Sequence, residues 1–338
     1  MLKKPLLGCT PEEIEAILRS MKQPRYRADQ IAQWMYKKNV TSVEQMTNLS
    51  KSLRDELNEV YAVGSREPSN VVESIDGTKK YLFETLDHHF IETAMIPDGD
   101  RKTLCVSTQV GCKRACTFCQ TGRQGFVSQL RTSDILNQYY SCPERDEITN
   151  IVYMGMGEPF DNYDAVAKSI SILTADFGMA KSPSRITVST VGIIPGIKKY
   201  LKTFKSHLAV SLHSPFHEQR LKMVPVESQY PISTVIQTLR TCTLGGQQRL
   251  TFEYAMLAGI NDTIDHARDL ASLLSGLNCR VNLIPCNPLP DQSYRPPEPE
   301  ITERFQSVLK SRGIITTVRK SKGTDIAAAC GLLSTQNS

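Results

Sequence analysis

Long apolar runs are absent from this 338-residue sequence, and none approaches the ~18 residues that a membrane-spanning helix needs. The N-terminal MLKKPLLGC has lysines before Cys9, loosely like a lipoprotein signal, but its apolar stretch covers only residues 5–7. A signal peptide needs an apolar region of roughly 7–15 residues. We therefore expect a soluble, cytoplasmic protein with no secretory leader and no membrane partner.

A disulfide framework is also missing, because the 10 cysteines are dispersed over a long chain rather than concentrated in a small one. This distribution favours a reducing compartment. The net charge of +5 permits a nucleic-acid partner without requiring one. With 40% hydrophobic residues the chain has ample material for a core, which argues against a disordered protein.

The N-terminal part combines helical signals with strand signals. Thr10, Pro11 and Glu13 form a helix start, with a hydroxyl N-cap, a proline in the first turn and a glutamate that can reach back. The segments YRADQIAQWMYKK and NLSKSLRDELNEV are also helix-like. Further on, the hydrophobic period changes to two in VVES, KKYLFETL and FIETAMI, which are separated by Asp-Gly and Asp-His turn signals. These patterns predict a small helical unit followed by a β-meander.

Strand-like and helix-like segments alternate through most of the remaining chain. The strand-like runs are TLCVSTQ, NIVYMGM, RITVSTV, HLAVSLH, LTFEYAML and RVNLIP. Repeated βα units form a parallel sheet covered by helices, and these are fewer than the eight of a full barrel. The sequence predicts an α/β fold with a partial (βα)6 barrel over residues 99–320. An N-terminal accessory domain over 1–98 precedes it, and a C-terminal segment over 321–338 follows it.

Residues that can bind ligands follow most of these strands. In parallel sheets, ligands collect at the carboxyl ends of the strands, so we expect a single site there. The residues concerned are Cys112 to Cys119, Gly157, Glu158, Pro159, Ser189, Thr190, His213, Asn287 and Pro288.

The segment GCKRACTFCQTG contains Cys112, Cys116 and Cys119, with no fourth cysteine nearby. A structural zinc site normally has four ligands in two pairs, and here the second pair is missing. Such close spacing after a strand also argues against ordinary buried cysteines. Three thiolates can instead hold an iron–sulfur cube and leave one iron open. The C-x3-C-x2-C spacing, with Phe118 before the last cysteine, resembles the radical S-adenosylmethionine (radical SAM) superfamily.

The resemblance extends over nearly the whole chain. TLCVSTQVGCKRACTFCQTGRQGF, YMGMGEP, VSTVGIIPGI, SLHSP, NLIPCNP and DIAAACG resemble successive motifs of the radical SAM enzymes that methylate an adenine ring in RNA. This implies one 4Fe-4S cluster on the three cysteines. It also implies contacts with S-adenosylmethionine (SAM) from Gly157, Glu158, Ser189, Ser211, Leu212, His213 and Asn287. Taken singly, such residues also occur as turn glycines, strand-end serines and packed histidines, but their shared placement favours the functional interpretation.

Carbon 2 of adenine is electron-poor, so it cannot attack the electrophilic methyl group of SAM as a nucleophile would. As the resemblance implies, the family uses two SAM molecules per turnover: one methylates Cys330, and the other yields a 5′-deoxyadenosyl radical that takes a hydrogen from the S-methyl group. The methylene radical then adds to the ring. Cys105 helps to release the protein–RNA adduct, and Glu92 is the proton acceptor. The resemblance also implies that the two catalytic cysteines can form a disulfide.

The local sequence leaves simpler alternatives for these residues. Cys330 fits a buried cysteine on a short helix, Cys105 an inward-facing strand residue, and Glu92 an exposed strand glutamate.

The family has two branches, and the sequence carries features of both. QWMYKK, MTNLSK and IETAMIPDGDRKTLCVSTQ resemble the housekeeping branch, which methylates carbon 2 of adenine, whereas STVGIIPGIKK and SLHSPFHEQR lean toward the antibiotic-resistance branch, which methylates carbon 8. We expect carbon-2 methylation in the peptidyl-transferase centre of 23S rRNA, and leave open the adenine 3′ of the tRNA anticodon as a second target. The alternatives are the carbon-8 branch, a metal-containing RNA-binding module without catalysis, and a radical SAM enzyme acting on a protein or metabolite.

The resemblance also implies partners. They are RNA, bound with help from the N-terminal domain, and a flavodoxin-like or other one-electron reductant; we expect a monomer. The target base must leave its stack to reach the cluster. Candidate phosphate contacts near the expected opening are Lys113, Arg114, Arg123, Arg131, Arg319, Lys320 and Lys322.

Overall fold

The computed structural model describes residues 3–289 and 294–335. The last three residues of the C-terminal segment expected over 321–338 therefore lie outside the described residues. None of the helices in the described ranges is long and apolar enough to cross a membrane.

The chain begins with a small helical unit, as predicted. Its elements are β1 (Lys4–Pro5), α1 (Pro11–Ser20), α2 (Tyr26–Ala32), α3 (Lys51–Val60) and β2 (Tyr61–Ala62), with a π-helical turn at Gln33–Lys37. The capping signal at the start of α1 is confirmed, because the Glu13 amide donates to the Thr10 hydroxyl and the Thr10 amide donates to the Glu13 carboxylate. β1 and β2 pair in parallel and tie the two ends of this unit together.

Three antiparallel strands follow, which confirms the predicted meander. They are β3 (Asn70–Glu73), β4 (Lys79–Glu84) and β5 (Phe90–Asp98). β3 is exposed along its length and forms the edge of the sheet, whereas the middle of β5 is buried.

The remaining chain forms a parallel sheet flanked by helices. Its elements are β6 (Arg101–Cys105), β7 (Gln109–Gly111), α4 (Gln120–Gln124), β8 (Phe126–Gln129), α5 (Thr132–Tyr140), β9 (Asn150–Tyr153), α6 (Tyr163–Thr174), β10 (Ile186–Thr190), α7 (Ile194–Thr203), β11 (His207–Ser211), α8 (His217–Met223), α9 (Ile232–Thr241), β12 (Leu250–Met256), α10 (Ile264–Leu274), β13 (Arg280–Pro285), α11 (Pro299–Ser311) and β14 (Ile315–Val318). Within the described ranges the sheet order is β14-β13-β12-β11-β10-β9-β6-β5-β4-β3. In this sheet, all pairings from β6 through β9 to β14 are parallel, which confirms the partial barrel and adds β14 to it. β7 and β8 form a separate antiparallel pair.

The meander is continuous with the barrel sheet. β5 and β6 pair as an antiparallel hairpin in which Asp98 lies opposite Arg101, so the boundary expected between residues 98 and 99 falls inside this hairpin. The core follows the parallel strands, where Val188, Val210 and Phe252 have no exposed surface. The buried parallel strands thus position the loops that follow their carboxyl ends.

Candidate active site

A cavity of about 190 Å³ lies at the carboxyl ends of the parallel strands. Most residues expected at the site border it, and they are Cys112, Cys116, Cys119, Gly157, Glu158, Ser189, Ser211, His213, Asn287 and Cys330. Leu212, Cys105 and Glu92 are buried and are not among the residues that border it. The structure therefore brings the expected residues from five strand ends and the C-terminal segment into one place.

The loop with the three cysteines is held by its own backbone. Gly111 has a φ of +72°, and a Cβ there would overlap the Gly125 carbonyl oxygen, so only glycine fits. That same carbonyl accepts a hydrogen bond from the Cys112 amide at 2.8 Å. Farther along the loop, the Cys119 amide donates to the Cys116 carbonyl at 3.2 Å.

The three thiols are free and partly or fully buried. Burial raises the pKa of Cys112 to about 12, and it also raises the pKa values of Cys116 and Cys119. Among the described residues, no three acidic, histidine or cysteine side chains converge as they would around a single metal ion. A 4Fe-4S cube makes a different demand, because each cysteine binds a separate iron. Buried thiols around one cavity fit such a cluster, whose positive irons would stabilise the thiolates.

Glu158 and Gly157 join the second strand end to the third. The Glu158 carboxylate accepts hydrogen bonds from the amides of Phe160 at 3.0 Å and Val191 at 2.9 Å. Burial raises the pKa of Glu158 to about 7. Gly157 borders the cavity and has a φ of +97°, and a Cβ there would collide with Gln109, so only glycine fits at this point.

His213 sits on the cavity wall in the left-handed region, with a φ of +61°. Its Nδ1 accepts a hydrogen bond from the Ala255 amide at 2.9 Å, which leaves the proton on Nε2. Burial lowers the pKa of His213 to about 3, so the ring is neutral. Phe118 packs edge-on against this ring with a centroid distance of 4.7 Å.

A buried arginine fixes the loop that contains Ser211. Arg220 has no exposed side-chain surface and forms an ion pair with Glu227. Its guanidinium also donates to the carbonyls of Leu212 at 2.8 Å, Ser211 at 2.8 Å and Val191 at 2.7 Å. The side chain of Leu212 is fully buried, so Leu212 supports the loop from the core side.

The C-terminal segment is attached first to the turn between β3 and β4. The Ser74 hydroxyl and the Ile75 amide donate to the Asp325 carboxylate at 2.6 and 3.2 Å. In the other direction, the Gly323 amide donates to the Asp76 carboxylate at 2.8 Å. These contacts fix the segment just before Cys330.

The segment is attached a second time to the cysteine loop and its helix α4. The Gln120 amide donates to the Gly331 carbonyl at 2.7 Å, and the Thr121 hydroxyl donates to the Leu333 carbonyl at 2.5 Å. Asn287 donates through its side-chain amide to the Cys330 carbonyl at 3.0 Å. Cys330 is thus exposed at the cavity but has a constrained backbone.

Glu92 belongs to this second attachment. It is 3% exposed, and its carboxylate forms an ion pair with Lys80 at 2.8 Å. Its other oxygen accepts a hydrogen bond from the Ser334 amide at 2.7 Å. The buried position differs from the exposed strand glutamate that the local sequence also allowed.

Cys105 lies on β6, buried against Ala328 of the C-terminal segment. Burial raises the pKa of Cys105 to about 12, and the neighbouring charge of Cys330 raises it further. Both cysteines are free thiols in this structure.

Sequence reasoning missed one charged residue of the cavity wall. Glu253, in the middle of β12, borders the cavity. The sequence signal for Glu253 was a lone carboxylate in the apolar run LTFEYAML. Of the basic candidates, Arg319 and Arg114 border the cavity, and Arg114 is also bonded to Asp161. Arg131 is bonded to Asp87.

Comparisons with known proteins show which family this chain resembles. A family model described as "Ribosomal RNA large subunit methyltransferase N-terminal domain" matches residues 4–63, and one described as "Radical SAM superfamily" matches residues 106–274. A "Probable dual-specificity RNA methyltransferase RlmN" of Bacteroides fragilis is 47% identical, covering 99% of this chain and 97% of the relative. The "Dual-specificity RNA methyltransferase RlmN" of Marinobacter nauticus is 40% identical, covering 98% and 92%.

A solved structure gives the same result. The crystal structure of a radical SAM methyltransferase from Sphaerobacter thermophilus superposes with a TM-score of 0.92 at 42% identity, covering 98% of this chain and 99% of that one. The likeness thus includes the N-terminal unit, the barrel and the C-terminal segment. The chain belongs to the radical SAM RNA methyltransferases, in the dual-specificity RlmN family.

Proposed function

We propose that this protein methylates carbon 2 of an adenine in 23S rRNA and, as a second substrate, in tRNA. The observation that carries the proposal is that Cys330 borders the same cavity as Cys112, Cys116 and Cys119 but belongs to a different part of the chain. A cysteine beside the three-cysteine motif, and outside it, is what a covalent methyl carrier requires. Neither a binding module nor a one-step methyltransferase has a use for it.

Cys112, Cys116 and Cys119 would hold one 4Fe-4S cluster. When bound, the cluster and SAM supply the one-electron chemistry that an electron-poor ring carbon needs. The protein's part is to hold these groups and keep water from them. The three thiols already border one cavity, and they have no disulfide to break before they bind iron.

SAM would lie along the wall formed by the strand ends. Gly157, Ser189 and Ser211 all border this space. His213 is neutral and offers Nε2–H as a donor. Glu158 holds two loop amides and leaves lone pairs for a cationic or hydroxyl group of SAM.

Cys330 would carry the methyl group, and Cys105 would resolve the adduct with RNA. Asn287 fixes the Cys330 backbone, which restricts where the sulfur can point. Glu92 would accept the proton released from the ring. Because its carboxylate is bonded to Lys80 and to the Ser334 amide, taking up that proton would also loosen the C-terminal segment.

The proposal includes three functional units and two partners. Residues 1–98 would contact RNA, residues 99–320 would hold the cofactors, and residues 321–338 would carry the methyl group. The enzyme would act in the cytoplasm as a monomer, with a flavodoxin-like or other one-electron reductant.

Isotope loss from the substrate tests the proposal. RNA with deuterium at adenine carbon 2 should lose it during anaerobic turnover, while RNA with deuterium at carbon 8 should keep it, because the new carbon–carbon bond replaces that hydrogen. Mass spectrometry of the digested RNA measures both. Loss from carbon 8 alone would assign the protein to the other branch, and turnover without loss from either position would contradict ring-carbon methylation.

A further inference from the structure

One buried carboxylate oxygen of Glu253 lacks a hydrogen bond among the described residues. The residue is 5% exposed and borders the active-site cavity. Its Oε1 accepts a hydrogen bond from the Asn282 side-chain amide at 2.9 Å, but Oε2 has no hydrogen-bond partner among the described residues. Leaving a buried acceptor without a hydrogen bond destabilises the folded protein, and more so if the acceptor is charged. A donor on a ligand in the cavity would remove that cost.

The carboxylate is held in one orientation. The Thr317 hydroxyl donates to Asn282 Oδ1 at 2.5 Å, so the Asn282 amide is turned with its NH2 group toward Glu253. These two contacts reach across from the adjacent strands β13 and β14. Oε2 is therefore the fixed end that a ligand can meet.

Glu253 lies on the side of the cavity that contains the methyl carrier. Asn282 on β13 donates to Glu253, and Asn287, which follows β13, donates to the Cys330 carbonyl at 3.0 Å. Glu253 and Cys330 border the same cavity together with Arg319. The ligand that must come to Cys330 is the RNA base, so the base comes to the same side of the cavity as Glu253.

We infer that Glu253 Oε2 accepts a hydrogen bond from the exocyclic amino group of the target adenine and so selects adenine over other purines. This inference rests on the proposed carbon-2 methylation. Carbon 2 and the amino group lie on the same edge of adenine, on either side of N1. Cys330 would therefore react at the same edge of the base that Glu253 binds. Guanine and hypoxanthine have a carbonyl oxygen in place of the amino group, and its lone pairs would face the carboxylate without a proton between them.

Modified substrate RNAs test this first in the unmutated enzyme. Identical RNAs carry adenosine, purine riboside without the amino group, or inosine at the target position, and the initial methylation rate of each is measured with the reconstituted enzyme. Adenosine should be preferred over purine riboside by about 10- to 100-fold, the range of a charge-assisted hydrogen bond of ~1.5–3 kcal/mol. Inosine should be poorer still. Equal rates with adenosine and purine riboside would overturn the inference without any variant.

Two substitutions then assign the effect to Glu253. Glu253→Ala removes the acceptor, so the ratio of adenosine to purine riboside should fall to about 1. In Glu253→Gln, the Asn282 NH2 group holds the new carbonyl oxygen, so the new NH2 group faces the base. The ratio of adenosine to inosine should therefore fall by more than in Glu253→Ala. Glu303→Gln, on the exposed face of α11, removes the same charge and should leave both ratios unchanged.

Other outcomes are distinguishable. Both Glu253 variants could keep the parent's ratios of methylation rates while their SAM affinity in equilibrium dialysis falls. In that case Oε2 binds SAM and the inference is wrong. If both ratios and SAM affinity stay as in the parent, the carboxylate meets neither ligand and the inference is also wrong. If the parent itself leaves adenosine RNA unmethylated, the proposed function fails, whatever Glu253 does. Equal cluster absorbance and melting temperature confirm that the variants are folded.

Discussion

The Ser74 hydroxyl donates a 2.6 Å hydrogen bond to the Asp325 carboxylate, and this bond joins the β-meander to the C-terminal segment. Gly323 and Asp76 form a second bond in the opposite direction at 2.8 Å. On the other side of Cys330, the Gly331 carbonyl is bonded to Gln120 beside the cysteine loop. Cys330 is therefore held between the N-terminal part of the sheet and the cysteine loop.

The first prediction concerns this attachment. Asp325→Ala should lower RNA methylation by about 10- to 100-fold, the scale of a misplaced reacting group, because Cys330 loses one of its two anchors. Cluster absorbance and SAM cleavage should be unchanged, since the cysteine loop is untouched. Asp269→Ala, which removes an exposed carboxylate of α10, is the matched control. A loss of cluster in the Asp325 variant would mean that the residue supports the whole fold and not the position of Cys330.

The second prediction uses the pH dependence of the same turn. Burial raises the pKa of Asp76, but hydrogen bonds from Thr78, the Gly323 amide and Ser74 lower it to about 2. Because the folded-state pKa is below the unfolded value of about 3.9, the carboxylate stabilises the fold fully above that pH and loses this effect as the pH falls toward 2. The difference in unfolding free energy between the parent and Asp76→Asn should therefore shrink over this range in urea titrations. A difference that stays constant would contradict this.

The third prediction concerns Arg220. Arg220→Met removes the buried arginine partner of Glu227 and leaves that carboxylate with only His217 and the Ile232 amide, so the free energy of unfolding should fall by about 3–5 kcal/mol. SAM should also bind more weakly, because the carbonyls of Ser211 and Val191 lose their donor. Urea unfolding and equilibrium dialysis measure the two effects. Arg268→Met, at an exposed pair on α10, should change stability by less than about 0.5 kcal/mol.

Local patterns predicted most of the fold because they arise from neighbouring residues. The cap at Thr10, the period of two in the meander and the βα alternation all appear in the structure. The cavity residues at the strand ends were predictable for the same reason, since parallel strands bring their carboxyl ends to one edge.

The contacts that position Cys330 were not predictable, because they join residues distant in sequence. Asn287 was expected to contact SAM, and its amide is bonded to the Cys330 carbonyl. Glu92 is bonded to the amide of Ser334. A single sequence contains no signal for such pairs, because each partner is an ordinary polar residue in its own segment.

The fourth prediction concerns the cluster. Changing Cys112, Cys116 or Cys119 to Ala should abolish the visible absorbance of the anaerobically reconstituted protein and its cleavage of SAM to 5′-deoxyadenosine, since two thiolates cannot replace three. Cys142→Ala is the control, because that cysteine is buried just after α5 and does not border the cavity. A triple alanine variant that kept both properties would exclude these residues as ligands.

The last prediction distinguishes the roles proposed for Cys330 and Cys105. Cys330→Ala should keep the cluster, because Cys330 is not a ligand, but lose both S-methylcysteine and RNA methylation almost completely. Removing one general acid or base typically costs about 100- to 10,000-fold, whereas a missing covalent carrier has no substitute. Cys105→Ala should instead allow Cys330 to become methylated and attach to RNA, and then stall, because the thiol proposed to resolve the adduct is gone. A denaturation-resistant protein–RNA crosslink should therefore accumulate in the Cys105 variant, seen on denaturing gels, and be absent from the Cys105/Cys330 double variant. Substantial methylation by Cys330→Ala would show that the carbon reaches RNA by another route.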